Sequence, residues 1–194
     1  VMNNDDSSRL YNLDRTIDHG ALVPLYFIQE EFTGFNLLHL TFGTIGPEKL
    51  YRCGMALREA ILETGRRTVV IASADLSHRL KDDGPYSYHP DGPKYDSMAA
   101  DSIRKGDFPG FMHISGKVRN KAGECGHRSI TILLGAFEER DVTTEIYSYE
   151  GPFGVGYMTA SIKETGNRAP SVLDEYILGQ ADINTESREQ ESGY

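Results

Sequence analysis

Basic side chains are scarce in this chain: 20 Lys and Arg stand against 29 Asp and Glu, a formal net charge of −9. Nucleic acid is held largely through its phosphates, which call for a positive patch, so that class of partner is excluded. Cysteine is almost absent too. Cys53 and Cys125 are the only two, too few for a disulfide framework. No apolar run approaches the roughly 18–20 residues that a membrane span requires. No signal-peptide pattern stands at the start, and the expected location is the cytoplasm. A Gly-x-Ser-x-Gly elbow is missing, which argues against a serine hydrolase. Gly151-Pro152-Phe153-Gly154-Val155-Gly156 lacks the Lys-Ser/Thr of a phosphate-binding loop, and no helix follows it, so it reads as a hairpin turn.

What is present suits one core, as 194 residues allow. A polar start, residues 1–16, contains Leu10-Tyr11-Asn12-Leu13, a short strand or edge. Asp18-His19-Gly20 reads as a turn before a helix from Ala21 to Phe32, with Pro24 in its first turn, where a missing N–H costs nothing. Asn36 to Phe42 reads as a strand. Pro47 opens a helix to about Thr64, with Leu50, Met55, Leu57, Ile61 and Leu62 at helical spacing and Gly65 as its stop. The β-branched run Thr68-Val69-Val70-Ile71-Ala72 reads as a strand over 68–74, buried on both faces. This β-α-β order predicts an α/β fold: a single domain with a central mixed, partly parallel sheet flanked by helices. A loop rich in Gly, Pro and Tyr follows from Asp82 to Pro93. After it come a helix from Lys94 to Lys105, an apolar piece from Phe108 to Ile114, and a buried helix from Ser129 to Phe137. Two strands share residues 143–163. Beyond Asn167, six acidic residues stand against two Arg. The domain is therefore expected to end at 166, with 167–194 an acidic linker or tail.

The run at 68–74 ends on Ser73-Ala74-Asp75-Leu76-Ser77-His78. A buried strand that stops on small and polar residues delivers side chains to a crevice, where ligands of open α/β sheets bind. His78 is the leading candidate among six histidines. His19 and His78 each have a nearby acid, Asp18 and Asp75. A carboxylate beside imidazole fixes its tautomer and raises its basicity, as a general base or a metal ligand requires. The competing reading makes each Asp a helix cap and each His incidental. His39 and His113 read as half-buried structural residues, His89 as a loop residue either exposed or near a pocket, and His127 stays open. Glu124 precedes an apolar helix, where a carboxylate favours the N-terminus; Cys125 beside it gains thiolate character from the same position. Two His and one carboxylate would also suit a facial triad for non-haem Fe(II). Spacing alone leaves these roles unseparated.

Asp18-His19-Gly20, Ser73-Ala74-Asp75-Leu76-Ser77-His78, Tyr88-His89-Pro90-Asp91-Gly92-Pro93 and Gly123-Glu124-Cys125-Gly126-His127-Arg128-Ser129 occur in that order. Together they resemble the LigB-type class III extradiol dioxygenases, and most of all the LigB-like members of the Memo-related group, which are often fused to or encoded beside Ammecr-type and radical SAM proteins. The likeness covers roughly residues 10–163. It implies cleavage of a catechol-type ring by O2 at Fe(II), or another divalent metal, with His78 as acid/base and His19 binding substrate or oxygen. Asp75, Ser77, Tyr88 and His89 are then expected on the substrate side. The family's late glutamate ligand maps to Glu124, or one residue on to Cys125, where Memo relatives carry a cysteine. Its two early histidine ligands have no counterpart, so the expectation is a chain lacking its first segment. The alternative it implies is a Memo-like metal-binding protein, not a dioxygenase, that works with partner proteins. A small aromatic substrate, O2, and a homo-oligomer or adjacent Ammecr-type domain are the expected partners, without nucleic acid or membrane.

Overall fold

The computed structural model describes residues 18–84 and 86–192, with side chains as far as residue 182. Leu10–Leu13 therefore lies outside the described residues. The chain divides into two compact units, Val1–Gly43 and Thr44–Tyr194.

In the first unit, Asp18 caps helix α1 (His19–Glu31), its carboxylate accepting from the Ala21 N–H at 2.9 Å. The turn expected at 18–20 is thus the helix start itself. Pro24 falls in the second turn, not the first, and withdraws one intrahelical donor. Residues 36–42 form no strand, and Leu37, Leu38, Leu40 and Phe42 are exposed.

The second unit opens with α2 (Pro47–Thr64). Pro47 occupies its first position and Gly65 ends it in the left-handed region (φ 62°), as the sequence predicts. Its partner is α6 (His127–Gly135). The crossing is set by two glycines. A Cβ on Gly54 would lie 2.0 Å from the Ile132 carbonyl oxygen, and one on Gly135 would lie 2.0 Å from that of Tyr51. Between them in sequence, α3 (Asp91–Lys105), α4 (Phe108–His113) and α5 (Gly116–Ala122) pack Tyr95, Ala99, Ile103, Phe108, Phe111, Met112 and Ala122 into one core with Tyr51 and Leu134. Asp107 and Ser115 cap α4 and α5 through their side chains, which is why a stretch with little helical periodicity is nevertheless helical. Strands β1 (Arg140–Glu150) and β2 (Tyr157–Arg168) form an antiparallel hairpin with Ile146 opposite Ala160.

The α/β class holds: the described residues form seven helices and a two-stranded sheet. The sheet itself differs from the mixed, partly parallel one expected. Among the described residues only β1 and β2 pair, and residues 68–74 run without a ladder, Val69 being 83% and Ile71 50% exposed. An apolar run reports a preference for burial; a ladder also needs a second segment in register. Residues 172–192, read from composition as linker or tail, form α7 (Val172–Ser192). Leu173 and Tyr176 of this helix are buried in the core, anchored by the Glu138 carboxylate, which accepts from Tyr51 Oη at 2.8 Å and Ser171 Oγ at 2.6 Å. No helix of the described residues is long and apolar enough to cross a membrane.

Candidate metal centre

The segment after residue 74 is pinned from three sides. Leu76 N–H donates to the Gly156 carbonyl at 2.9 Å, and Gly156 N–H returns a bond to Ser77 at 2.8 Å. Ser77 N–H donates to Asp96 Oδ1 at 2.7 Å. Ser77 Oγ donates to the Ala122 carbonyl at 3.0 Å while accepting from Arg79 N–H at the same distance. Ser77, expected beside the substrate, is instead fully buried, its hydroxyl committed to backbone. It holds the turn that presents Asp75 and His78.

A second turn, Gly123–Gly126, meets the first. Gly123 ends α5 at φ 67°. A Cβ on Gly126 would lie 2.5 Å from Ala74 Cβ and 2.6 Å from the Asp75 carbonyl oxygen, so only glycine permits this approach. Glu124 turns away to cap α6, accepting from His127 N–H at 2.7 Å. Cys125, exposed, turns toward His78. Its Sγ lies 4.0 Å from His78 Nε2, and Asp75 Oδ2 lies 3.3 Å from the same nitrogen. One carboxylate oxygen, one imidazole nitrogen and one thiol sulfur thus stand within 4.8 Å of one another. Of the two adjacent candidates, the thiol joins the group and the carboxylate caps a helix.

The geometry separates two chemistries. In a nucleophilic Cys-His-Asp triad the acid and the thiol address opposite ring nitrogens; here both address Nε2. Three donors converging on one point suit a cation. At ordinary bond lengths of roughly 2.0–2.3 Å, neighbouring donors on a tetrahedral ion lie about 3.3–3.7 Å apart, against 3.3 and 4.0 Å for the two pairs that share His78 Nε2. Burial, foremost, pushes the Cys125 thiol up, so a cation here would have to displace its proton. Carboxylate, imidazole and thiolate fit a divalent transition metal, although thiolate is softer than the two-histidine, one-carboxylate set expected for Fe(II).

His19 is the first residue of α1 and exposed, beside its capping Asp18. His89 turns its Nδ1 to the start of α3, accepting from Asp91 N–H at 3.1 Å, and Tyr88 is 46% exposed. Sequence reasoning missed Asp96. Buried on the apolar face of α3, it accepts from Tyr149 Oη at 2.6 Å as well as from Ser77. Burial raises its pKa against those two hydrogen bonds and the nearby His78 charge. An acid at a core position of an amphipathic helix was the available signal. His127, left open by the sequence, is fully buried, stacked on Phe111 at 4.4 Å, and held neutral by desolvation with a pKa of about 3.

Residues 2–160 match the family model described as the catalytic LigB subunit of aromatic ring-opening dioxygenase. A protein of Clostridium acetobutylicum is 41% identical over 167 residues, 86% of this chain and 36% of its own length. MEMO1 family proteins of Methanosarcina acetivorans and Methanosarcina mazei are 29% and 31% identical over 66% and 64% of this chain. The chain spans 36%, 45% and 43% of these three relatives.

Proposed function

Because the chain belongs to the family of the catalytic LigB subunit of aromatic ring-opening dioxygenases, we propose that it is a metal-dependent protein whose cation is held by Asp75, His78 and Cys125. The observation that carries this reading is the convergence of the Asp75 carboxylate and the Cys125 thiol on one nitrogen of His78. A divalent ion bound there supplies Lewis-acid activation of two adjacent ligand oxygens and a place for O2. The chain's own contribution is positional. Ser77 and Gly126 bring the donors together.

The family model's description favours a second reading: opening of a catechol-type ring by O2 at Fe(II). In it, His78 Nε2 takes the proton of a substrate hydroxyl, a task suited to a base whose pKa lies near the working pH. Tyr88 and His89 then face the substrate. The presence of the Cys125 thiol in the group, with Glu124 turned to cap α6, favours metal binding without ring opening.

The full-length protein titrated anaerobically with Co(II) tests the first reading. A thiolate-to-cobalt absorption band is expected, absent in Cys125→Ser. Affinity should fall at least about tenfold, the loss typical even of residues that only support a ligand, in Asp75→Asn and His78→Ala. If none of the three moves the affinity, the metal is held elsewhere. Loading with Fe(II) and adding catechols and O2 then looks for the colour of ring fission. His78→Gln that keeps its metal but loses turnover identifies a proton acceptor, and loss of metal identifies a ligand.

A further inference from the structure

We infer that Tyr86 is the aromatic platform of this site, the side chain that selects a planar ring over a non-aromatic chelator with the same oxygen donors. The inference rests on the metal reading of Asp75, His78 and Cys125. Its observation is a separate one: the Tyr86 ring lies 5.6 Å from the His78 ring at an interplanar angle of 34°, yet remains 56% exposed. Isolated exposed tyrosines are ordinary. One held against the imidazole at the centre of three convergent donors is not isolated.

The described residues on either side of Tyr86 are tied to the rest of the unit. At the start of the loop, Leu80 N–H donates to the Gly154 carbonyl at 3.0 Å and Lys81 Nζ to the Pro152 carbonyl at 2.9 Å. Gly84 packs on the 153–154 turn so closely that a Cβ would meet Gly154 Cα and the Phe153 carbonyl oxygen at 3.2 Å. At its end, His89 N–H donates to the Arg79 carbonyl at 3.2 Å, closing the base of the loop. A tyrosine has only two side-chain torsions to fix when a ligand arrives. Tyr88 stands two residues on along a non-helical stretch and is 46% exposed, extending the aromatic surface outward.

A ligand that chelates the cation through adjacent oxygens must project its remaining atoms away from the metal. Beside His78 they would come against the Tyr86 ring. A flat π-system gains offset stacking there; a small aliphatic chelator gains nothing comparable. Aromatic pairs of this kind are worth roughly 0.5–1.5 kcal/mol beyond area burial, which converts to about 2- to 12-fold in affinity.

The test uses the full-length protein loaded with Co(II), titrated anaerobically with catechol and, separately, with acetohydroxamate, a non-aromatic chelator that also binds through two oxygens. Tyr86→Leu keeps apolar bulk and removes the ring. It should weaken catechol by about 2- to 12-fold while leaving acetohydroxamate and Co(II) affinities unchanged, and Tyr86→Phe should restore catechol binding. Equal loss of both chelators, or catechol affinity unchanged in Tyr86→Leu, overturns the platform while leaving the metal site intact. Co(II) bound without measurable catechol binding to the parent protein overturns it too and removes the aromatic ligand class. A parent protein that takes up no Co(II) overturns the metal reading, and the platform falls with it.

Discussion

Glu124 and Cys125 are adjacent in the chain and part company in space, so substitutions there should have opposite signatures. Glu124→Ala removes the bond to His127 N–H at the head of α6. It should cost about 1 kcal/mol of stability, read as a lower melting temperature, and leave Co(II) affinity within about twofold. Cys125→Ser should do the reverse. Asp96→Asn removes one of the acceptor oxygens used by Ser77 N–H and Tyr149 Oη. A fall of about 1–3 kcal/mol in a urea titration is expected. At this scale the sequence was half legible. Asp75 and His78 could be singled out because a run of apolar residues ends on them. The choice between Glu124 and Cys125 could not, since both stand at a helix start and only the close approach of Gly126 decides which one faces His78.

Among the elements, α2 and α6 were readable from periodicity, but nothing in either marks Gly54 and Gly135 as the two sides of one contact. Gly54→Ala should force the helices apart and lower stability by about 1–3 kcal/mol, whereas a helical glycine in open space would gain from the same change. Helix α7 was misread because its composition is acidic, and burial there rests on two side chains, Leu173 and Tyr176. That helix also carries a pH dependence. His113 accepts from Gln180 Nε2 at 3.1 Å and stacks on Tyr176. Desolvation lowers its pKa, outweighing Asp107 and Glu175, which raise it. The folded state therefore prefers neutral His113. Its contribution is complete above about pH 6.5 and is lost as pH falls from there through the lowered value. The urea midpoint should drop further between pH 7.5 and pH 5.5 in the parent chain than in His113→Phe.

For the whole molecule, hydrophobic patterning was enough to name the α/β class, and it failed on the sheet. Patterning tells which residues seek an interior; it carries no record of which segment lies alongside. Residues 68–74 show the gap, apolar in sequence and outside any strand ladder among the described residues. The proposed cation would join residues 75 and 78 to residue 125, so binding should be felt in global stability. At a hundred times the dissociation constant, Co(II) should raise unfolding free energy by about 2.7 kcal/mol, with Cys125→Ser abolishing the gain in a thermal melt. The contact of Gly126 with Ala74 and Asp75 sets the spacing of the two turns through backbone, without help from the side chains that would bind the ion. If the proposed cation is held there, position 125 would be a socket: a histidine or an aspartate fitted on an unaltered frame would retune which metal is preferred. Metal preference in such a scaffold can drift by single substitutions while the fold stays put.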